Sequence, residues 1–250
     1  MTTNNEVAPA GSRFTQVVDA AARMPGVRID RSAYLRSALR RHCSEDQIQR
    51  AIADGPAAAG VSPAIVRMVA NDSIKFETAK VTALSAAAGI PGGIAIVGTV
   101  PADLVQFFGH VLRIAQKLAY IYSWPNLFSD ESDEIDDATE GILTLFVGVM
   151  FGVQAAQIGV SKVSTMIAEQ MLKKLPQKAL TKGAIYPVVK KVATLLGVRM
   201  TKQIFAGGVA KIVPVVGAAV SGGLTLATFL PMSKRLQKHL ASLELSRAAS

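Results

Sequence analysis

An all-α multi-helix bundle, with Gly-rich apolar helices at its centre and charged amphipathic helices outside, is predicted by three features of this sequence. Half of the 250 residues are hydrophobic but only 6% are aromatic, and Ala, Val, Leu, Ile and Gly dominate, which suits closely packed helices better than β-sandwiches. Apolar residues recur at helical spacing over much of the chain. Finally, residues 81–102, 141–161 and 212–233 each run without a charged side chain. Such runs are either helices buried on all sides in a large core or bilayer spans of about 20 residues.

The first twelve residues, MTTNNEVAPAGS, are polar; they predict a disordered start with no apolar stretch of a secretory signal. Residues 13–64 read as a small helical section, continuous with a larger helical region over 65–250. From Arg13 to Met24 a short amphipathic helix carries Phe14, Val17, Val18 and Ala21 and stops at Pro25-Gly26. Asp30 caps a second helix with Tyr34, Leu35, Ala38 and Leu39 on it. Ser44 and Gln47 have the spacing of a capping box that opens a third helix, and Ser62-Pro63 opens a fourth with proline at its first position.

Near Lys80 the chain changes character. Helical periodicity holds to Gly89, breaks at Pro91-Gly92-Gly93, and resumes after Pro101. Two helices meeting at a hinge of Gly89, Pro91, Gly92 and Gly93 are expected, the glycines serving a sharp turn and close packing rather than a phosphate cradle. Over 102–122 apolar residues surround most of the helix, while Asp103, Gln106, His110, Arg113 and Lys117 recur three and four apart as one narrow polar stripe. The run SDESDEIDDATE follows, and its carboxylates suit the positive end of the next helix. An EF-hand frame starting at Asp130 fails, because Ile135 falls where the turn glycine belongs and Gly141 where the bidentate acid belongs. Residues 162–211 predict two or three cationic amphipathic helices with breaks near Pro176, Pro187 and Gly207-Gly208. In the last apolar run Gly217 and Ser221, Ala218 and Gly222, and Ala219 and Gly223 are four apart, a spacing that lets helices approach closely. A basic amphipathic tail, Lys234 to Arg247, closes the chain.

The net charge of +9 is unevenly spread: residues 129–140 hold seven acids and no base, and residues 141–250 hold fourteen bases against two acids. A basic half of this kind suits an anionic partner or simply solubilises an apolar core. Nucleic acid is disfavoured as that partner, since residues 162–250 contain only Tyr186, Phe205 and Phe229 for stacking. Cys43 is the one cysteine, so internal disulfides and thiolate metal sites are excluded and a reducing, cytoplasmic setting fits. Phosphate-binding loops, zinc-protease motifs and nucleophile elbows are absent from the sequence. His42 and Cys43 are neighbours on an arginine-rich helix, pointing about 100° apart, and form no nucleophilic pair. No cofactor or metal is expected. The polar stripe remains the candidate for chemistry: Asp103 and His110 lie two turns apart with Gln106 between them. It is either a proton-transfer or ligand site, or a hydrogen-bonded seam that fixes helix register.

The succession AAAGIPGGIAIVGTVPADLVQFFGHVLRIAQKLAYIYSW, then GILTLFVGVMFGVQAA, then KIVPVVGAAVSGGLTLATFLPMSKRL resembles the EcsC family of bacterial proteins over roughly residues 65–240. The glycine hinge around Pro91, the Pro101-Ala102-Asp103 helix start and the pattern from Lys211 to Gly223 carry that resemblance. It implies a helical protein, often membrane-associated, from a family with no established catalytic residues. Ser123-Trp124 departs from the glycine that members commonly place after the tyrosine, and the departure is expected to affect only the local turn.

If the three uncharged runs span a bilayer, the loops over 103–140 and 162–211 obey the positive-inside rule but the tail, with Lys234, Arg235, Lys238 and Arg247, breaks it. A compact bundle has no such conflict. The expected protein is therefore a non-enzymatic bundle peripheral to the inner face of the membrane, with a multi-pass inner-membrane protein as the alternative. Its partner is anionic lipid or a membrane protein complex, met by Lys173, Lys174, Lys190, Lys191, Arg199, Lys202 and Lys211. Two other readings stay open: an enzyme or lipid carrier whose pocket is lined by Asp103, Gln106, His110 and Arg113, and a soluble scaffold in a stress or secretion system.

Overall fold

A computed structural model describes residues 10–88, 96–97, 100–128, 135–170, 172–210 and 214–247. Side chains are described at these positions except 10, 84–88, 96–97, 100–103, 201–210 and 214–225. The hinge residues Gly89, Pro91, Gly92 and Gly93, together with Lys211, lie outside the described residues.

The chain is all-α. Its helices are α1 (Ala10–Ala22), α2 (Arg31–Leu39), α3 (Glu45–Asp54), α4 (Pro63–Ala88), α5 (Ala102–Ile121), α6 (Asp137–Met150), α7 (Gln154–Glu169), α8 (Gln177–Thr181), α9 (Tyr186–Ala210) and α10 (Pro214–Ala241). Between α4 and α5 two residue pairs, Ile96 with Pro101 and Val97 with Val100, form a short antiparallel ladder. Among the described residues no helix is long and apolar enough to cross a membrane.

Local chemistry sets most of the starts. The backbone N–H of Ala33 donates to Asp30 Oδ1 at 2.6 Å, that of Ile65 to Ser62 Oγ at 3.3 Å and that of Thr139 to Asp136 Oδ1 at 2.6 Å, each satisfying an otherwise orphaned first-turn donor. Ser44 caps α3 through Gln47 N at 3.3 Å, but the Gln47 side chain turns away and donates to the carbonyls of Ala59 and Gly60 at 3.3 and 3.0 Å. The predicted capping box is thus half made. Its second half is spent on holding the α3–α4 loop.

Four expectations are corrected. The uncharged run 141–161 is two helices, because Gly152 takes a φ of 75° and turns the chain between α6 and α7. Gly207-Gly208 lies inside α9 rather than breaking it, since a mid-helix glycine costs only about 1 kcal/mol. The basic tail is no separate element, for Lys234, Arg235 and Lys238 continue α10. Helix α1 also begins at Ala10, ahead of the expected Arg13.

One cluster of buried side chains runs from Phe14 on α1 to Leu243 after α10. Helix α6 is its axis: from Ala138 to Met150 every residue except Glu140 is buried, by α5, α7, α8, α9 and α10 around it. That is why residues 141–150 carry no charge. Trp124 is fully buried after α5 and meets the Phe146 ring of α6 edge-on at 4.9 Å. Ser123 takes a φ of 68°, a left-handed position that favours glycine. Its Oγ accepts the backbone N–H of Ala57 at 2.9 Å, which ties the start of the α3–α4 loop to the end of α5. Arg31 closes the same corner, donating to the carbonyls of Trp124, Ile52 and Ala51 at 3.0, 2.5 and 3.4 Å.

Candidate functional site

Three residues of the α5 polar stripe converge on a carboxylate of α4 that the sequence analysis did not single out: Glu77 is 0% exposed. His110 Nδ1 lies 3.1 Å from Glu77 Oε2, Arg113 Nε donates to Oε1 at 3.2 Å and Lys117 Nζ donates to Oε1 at 2.6 Å. Helical spacing explains the convergence, because His110, Arg113 and Lys117 stack on one face and Glu77 continues the buried α4 stripe of Ala70, Ile74 and Val81. That stripe was the readable signal, a carboxylate standing in an apolar register. Gln106 is half-buried one turn before His110, and the Asp103 side chain lies outside the described ones. On α2, Tyr34 Oη shares a hydrogen bond with Ser73 Oγ at 2.9 Å.

Burial pushes the Glu77 carboxyl up, but hydrogen bonds from His110 and Lys117 and the charges of Lys117 and Arg113 outweigh it and bring Glu77 down to about 2. Burial lowers the Lys117 ammonium; the Glu77 carboxylate opposes that shift, while Arg113 and Lys80 add to it. Phe76 covers the cluster, its ring 5.0 Å from Lys117 Nζ and 4.7 Å from Lys80 Nζ. An acid shut from solvent, engaged by three donors and ionised at every ordinary pH is poorly suited to exchange protons with a substrate. It is well suited to hold α4 and α5 in register.

The linkage has a definite sign. Glu77 has a folded pKa below its ordinary 4.5, so its contribution is complete above that value and disappears as pH falls toward 2. The loss amounts to about 3 kcal/mol. Urea unfolding between pH 6 and pH 2.5 should show it, and Glu77→Gln should remove that part of the slope. An equal slope in the variant would assign the titration elsewhere.

The predicted contact lysines and arginine occupy two stretches. Lys173 and Lys174 lie between α7 and α8, while Lys190, Lys191, Arg199 and Lys202 lie on α9, the Lys202 side chain falling outside the described ones. Two of these charges are partly engaged. Lys173 pairs with Asp54, both side chains being at least half exposed, and Arg199 donates to the Phe151 carbonyl at 2.6 Å. Lys174, Lys190 and Lys191 are exposed, as are Lys178 and Lys182, which sequence reasoning did not select. Lys173, Lys174 and Lys178 flank a shallow groove of about 510 Å³ floored by Met166, Leu172 and Leu175. The outward face of α9 also exposes Tyr186, Leu195 and Val198 between its lysines, and Lys190 Nζ sits 4.8 Å over the Tyr186 ring.

A second concavity is apolar. About 180 Å³ is enclosed by Phe14 of α1, Leu104, Phe107 and Phe108 of α5, Phe151 at the α6–α7 turn, and Leu196 and Met200 of α9. Gln106, His110 and Arg113 are not among the residues that line it. Among the described residues no group of three His, Cys, Asp or Glu side chains is placed to hold a metal ion. No family model, curated protein or solved structure matches this chain.

Proposed function

We propose that this chain is a non-catalytic peripheral membrane protein of the EcsC type that binds anionic lipid through the α7–α9 face, at the inner surface of the membrane. The observation that carries the reading is the outward stripe of α9, where Lys190 and Lys191 alternate with exposed Tyr186, Leu195 and Val198. Lysines interleaved with aliphatic and aromatic side chains are what an interfacial helix presents, cations to the head groups and apolar tips to the acyl boundary. The groove with Lys174 and Lys178 extends the same charge beyond α9.

Vesicle co-sedimentation tests the reading. Binding should need phosphatidylglycerol, fall with salt, and weaken about thirtyfold in a Lys190→Gln, Lys191→Gln variant at about 1 kcal/mol per lysine. Leu195→Ser with Val198→Ser should weaken binding at every salt concentration. Equal binding to neutral phosphatidylcholine vesicles would remove the electrostatic argument. A partner protein on this face would instead survive vesicle depletion in a pull-down.

A further inference from the structure

The apolar cavity and the α6 C-terminus meet at one residue. Phe151 gives its ring to the cavity wall and its carbonyl to Arg199 at 2.6 Å. Arg235 of α10 donates to the preceding carbonyl, that of Met150, and its guanidinium carbon is 3.7 Å from where a Gly152 side chain would begin. The half-exposed members of the wall are Leu104, Phe107 and Phe151, and Phe151 is the one that joins the wall to Arg199, through its carbonyl, and to Arg235, beside the next residue Gly152. Both arginines are exposed, and no carboxylate among the described residues pairs with either.

A helix C-terminus carries about half a negative charge, which accounts for one cation and leaves an excess from two. Each guanidinium offers five N–H donors and spends Nη1 on a carbonyl, leaving others to form the paired bonds that carboxylates and phosphates accept. Behind them lies a wall of phenylalanine, leucine and methionine. Its volume, about 180 Å³, is comparable to the ~150 Å³ engineered cavity that takes up benzene, so it has room for one hydrocarbon segment and not two.

We infer that this site binds a single-chain anionic amphiphile, its hydrocarbon end among Phe107, Phe108, Phe151 and Leu196 and its anionic head on Arg199 and Arg235. The site uses none of the lysines of that face, sharing with it only Arg199 of α9, and its ligand needs no membrane. Calorimetric titration with octanoate, octyl phosphate and 1-octanol, all below micellar concentration, tests it. One of the two anions should bind at one equivalent and at least about tenfold more tightly than the alcohol, a ratio one charge-assisted bond supplies. The stronger anion identifies the head group. Arg199→Gln with Arg235→Gln should reduce both anions to the level of the alcohol, and Leu196→Phe should abolish all three by filling the cavity. Circular dichroism checks that each variant folds, and the wild-type comparison decides alone if one does not. Alcohol binding as tight as the anions, or no binding of any probe, overturns the inference.

Discussion

Glu77→Leu is expected to lower the unfolding free energy by about 3–5 kcal/mol, the cost of leaving buried cations without their counter-ion. Lys117 and Arg113 both direct nitrogen atoms at the Glu77 carboxylate, and the Lys117 side chain is only 11% exposed. Without the acid, their charges must be hydrated by opening the α4–α5 contact or lost by deprotonation. Lys117 is the one to yield, since burial already lowers its pKa. The stability of Glu77→Leu should therefore rise with pH on the alkaline side more steeply than that of the wild type, because the carboxylate that opposes the downward shift of Lys117 is gone. A Glu77→Leu, Lys117→Met double variant should recover most of the loss, because an apolar pair of similar volume removes both the charge and its desolvation cost. Urea midpoints at constant slope measure both effects. The exposed pair supplies the scale: Asp54→Asn breaks the Lys173 bridge and should cost under about 1 kcal/mol. If Glu77→Leu costs no more than Asp54→Asn, the seam does not hold the helices together.

What could be read in the sequence and what could not divides along the range of the interactions. The caps at Asp30, Ser44 and Ser62 were legible because a cap is decided within four residues. The stripe from Gln106 to Lys117 was legible for the same reason, as a property of one helix. Its counter-ion was legible only in part: Glu77 shares the apolar register of Ala70, Ile74 and Val81, but it stands in NDSIKFETAK, a segment as charged as any surface helix, and its pairing with the stripe is decided by the packing of α4 on α5. The cavity was out of reach, since its aromatic wall comes from α1, α5 and the α6–α7 turn, segments far apart in the chain. The turn at Gly152 was hidden by composition: an uncharged run has no polar punctuation, and its glycines read alike although they do different work. Gly141, Gly148 and Gly159 are helical, while Gly152 alone of the four has a positive φ. Ser123 shows the reverse case, where a departure from an expected glycine is absorbed by a side-chain hydrogen bond to Ala57.

The glycines of α6 can be separated by experiment, and the expected effects have opposite signs. A methyl group added at Gly148 would lie 2.6 Å from both Ala156 Cβ on α7 and Val192 Cγ1 on α9. Neither neighbour can swing away: Ala156 has no rotamer to change, and Val192 is a β-branched side chain that is fully buried. Gly148→Ala must then push α7 or α9 off the central helix, at a cost of about 3 kcal/mol, the upper part of the range for overpacked cores. At Gly141 the same methyl would meet Val189 and Leu180 at 3.6–3.7 Å, ordinary van der Waals contact. Gly141→Ala therefore gains helix propensity without strain and should stabilise by about 0.5–1 kcal/mol. Thermal melts of the two variants should differ by about 7–16 °C, at about 2–4 °C per kcal/mol for a chain of this size. Equal melting temperatures would mean that α6 is not packed at Gly148 as closely as α7 and α9 require, and that the small residues of this run are there for flexibility. A cold, stable Gly141→Ala beside a destabilised Gly148→Ala would instead establish that close approach of three helices at one glycine is what keeps the axis of the bundle free of larger side chains.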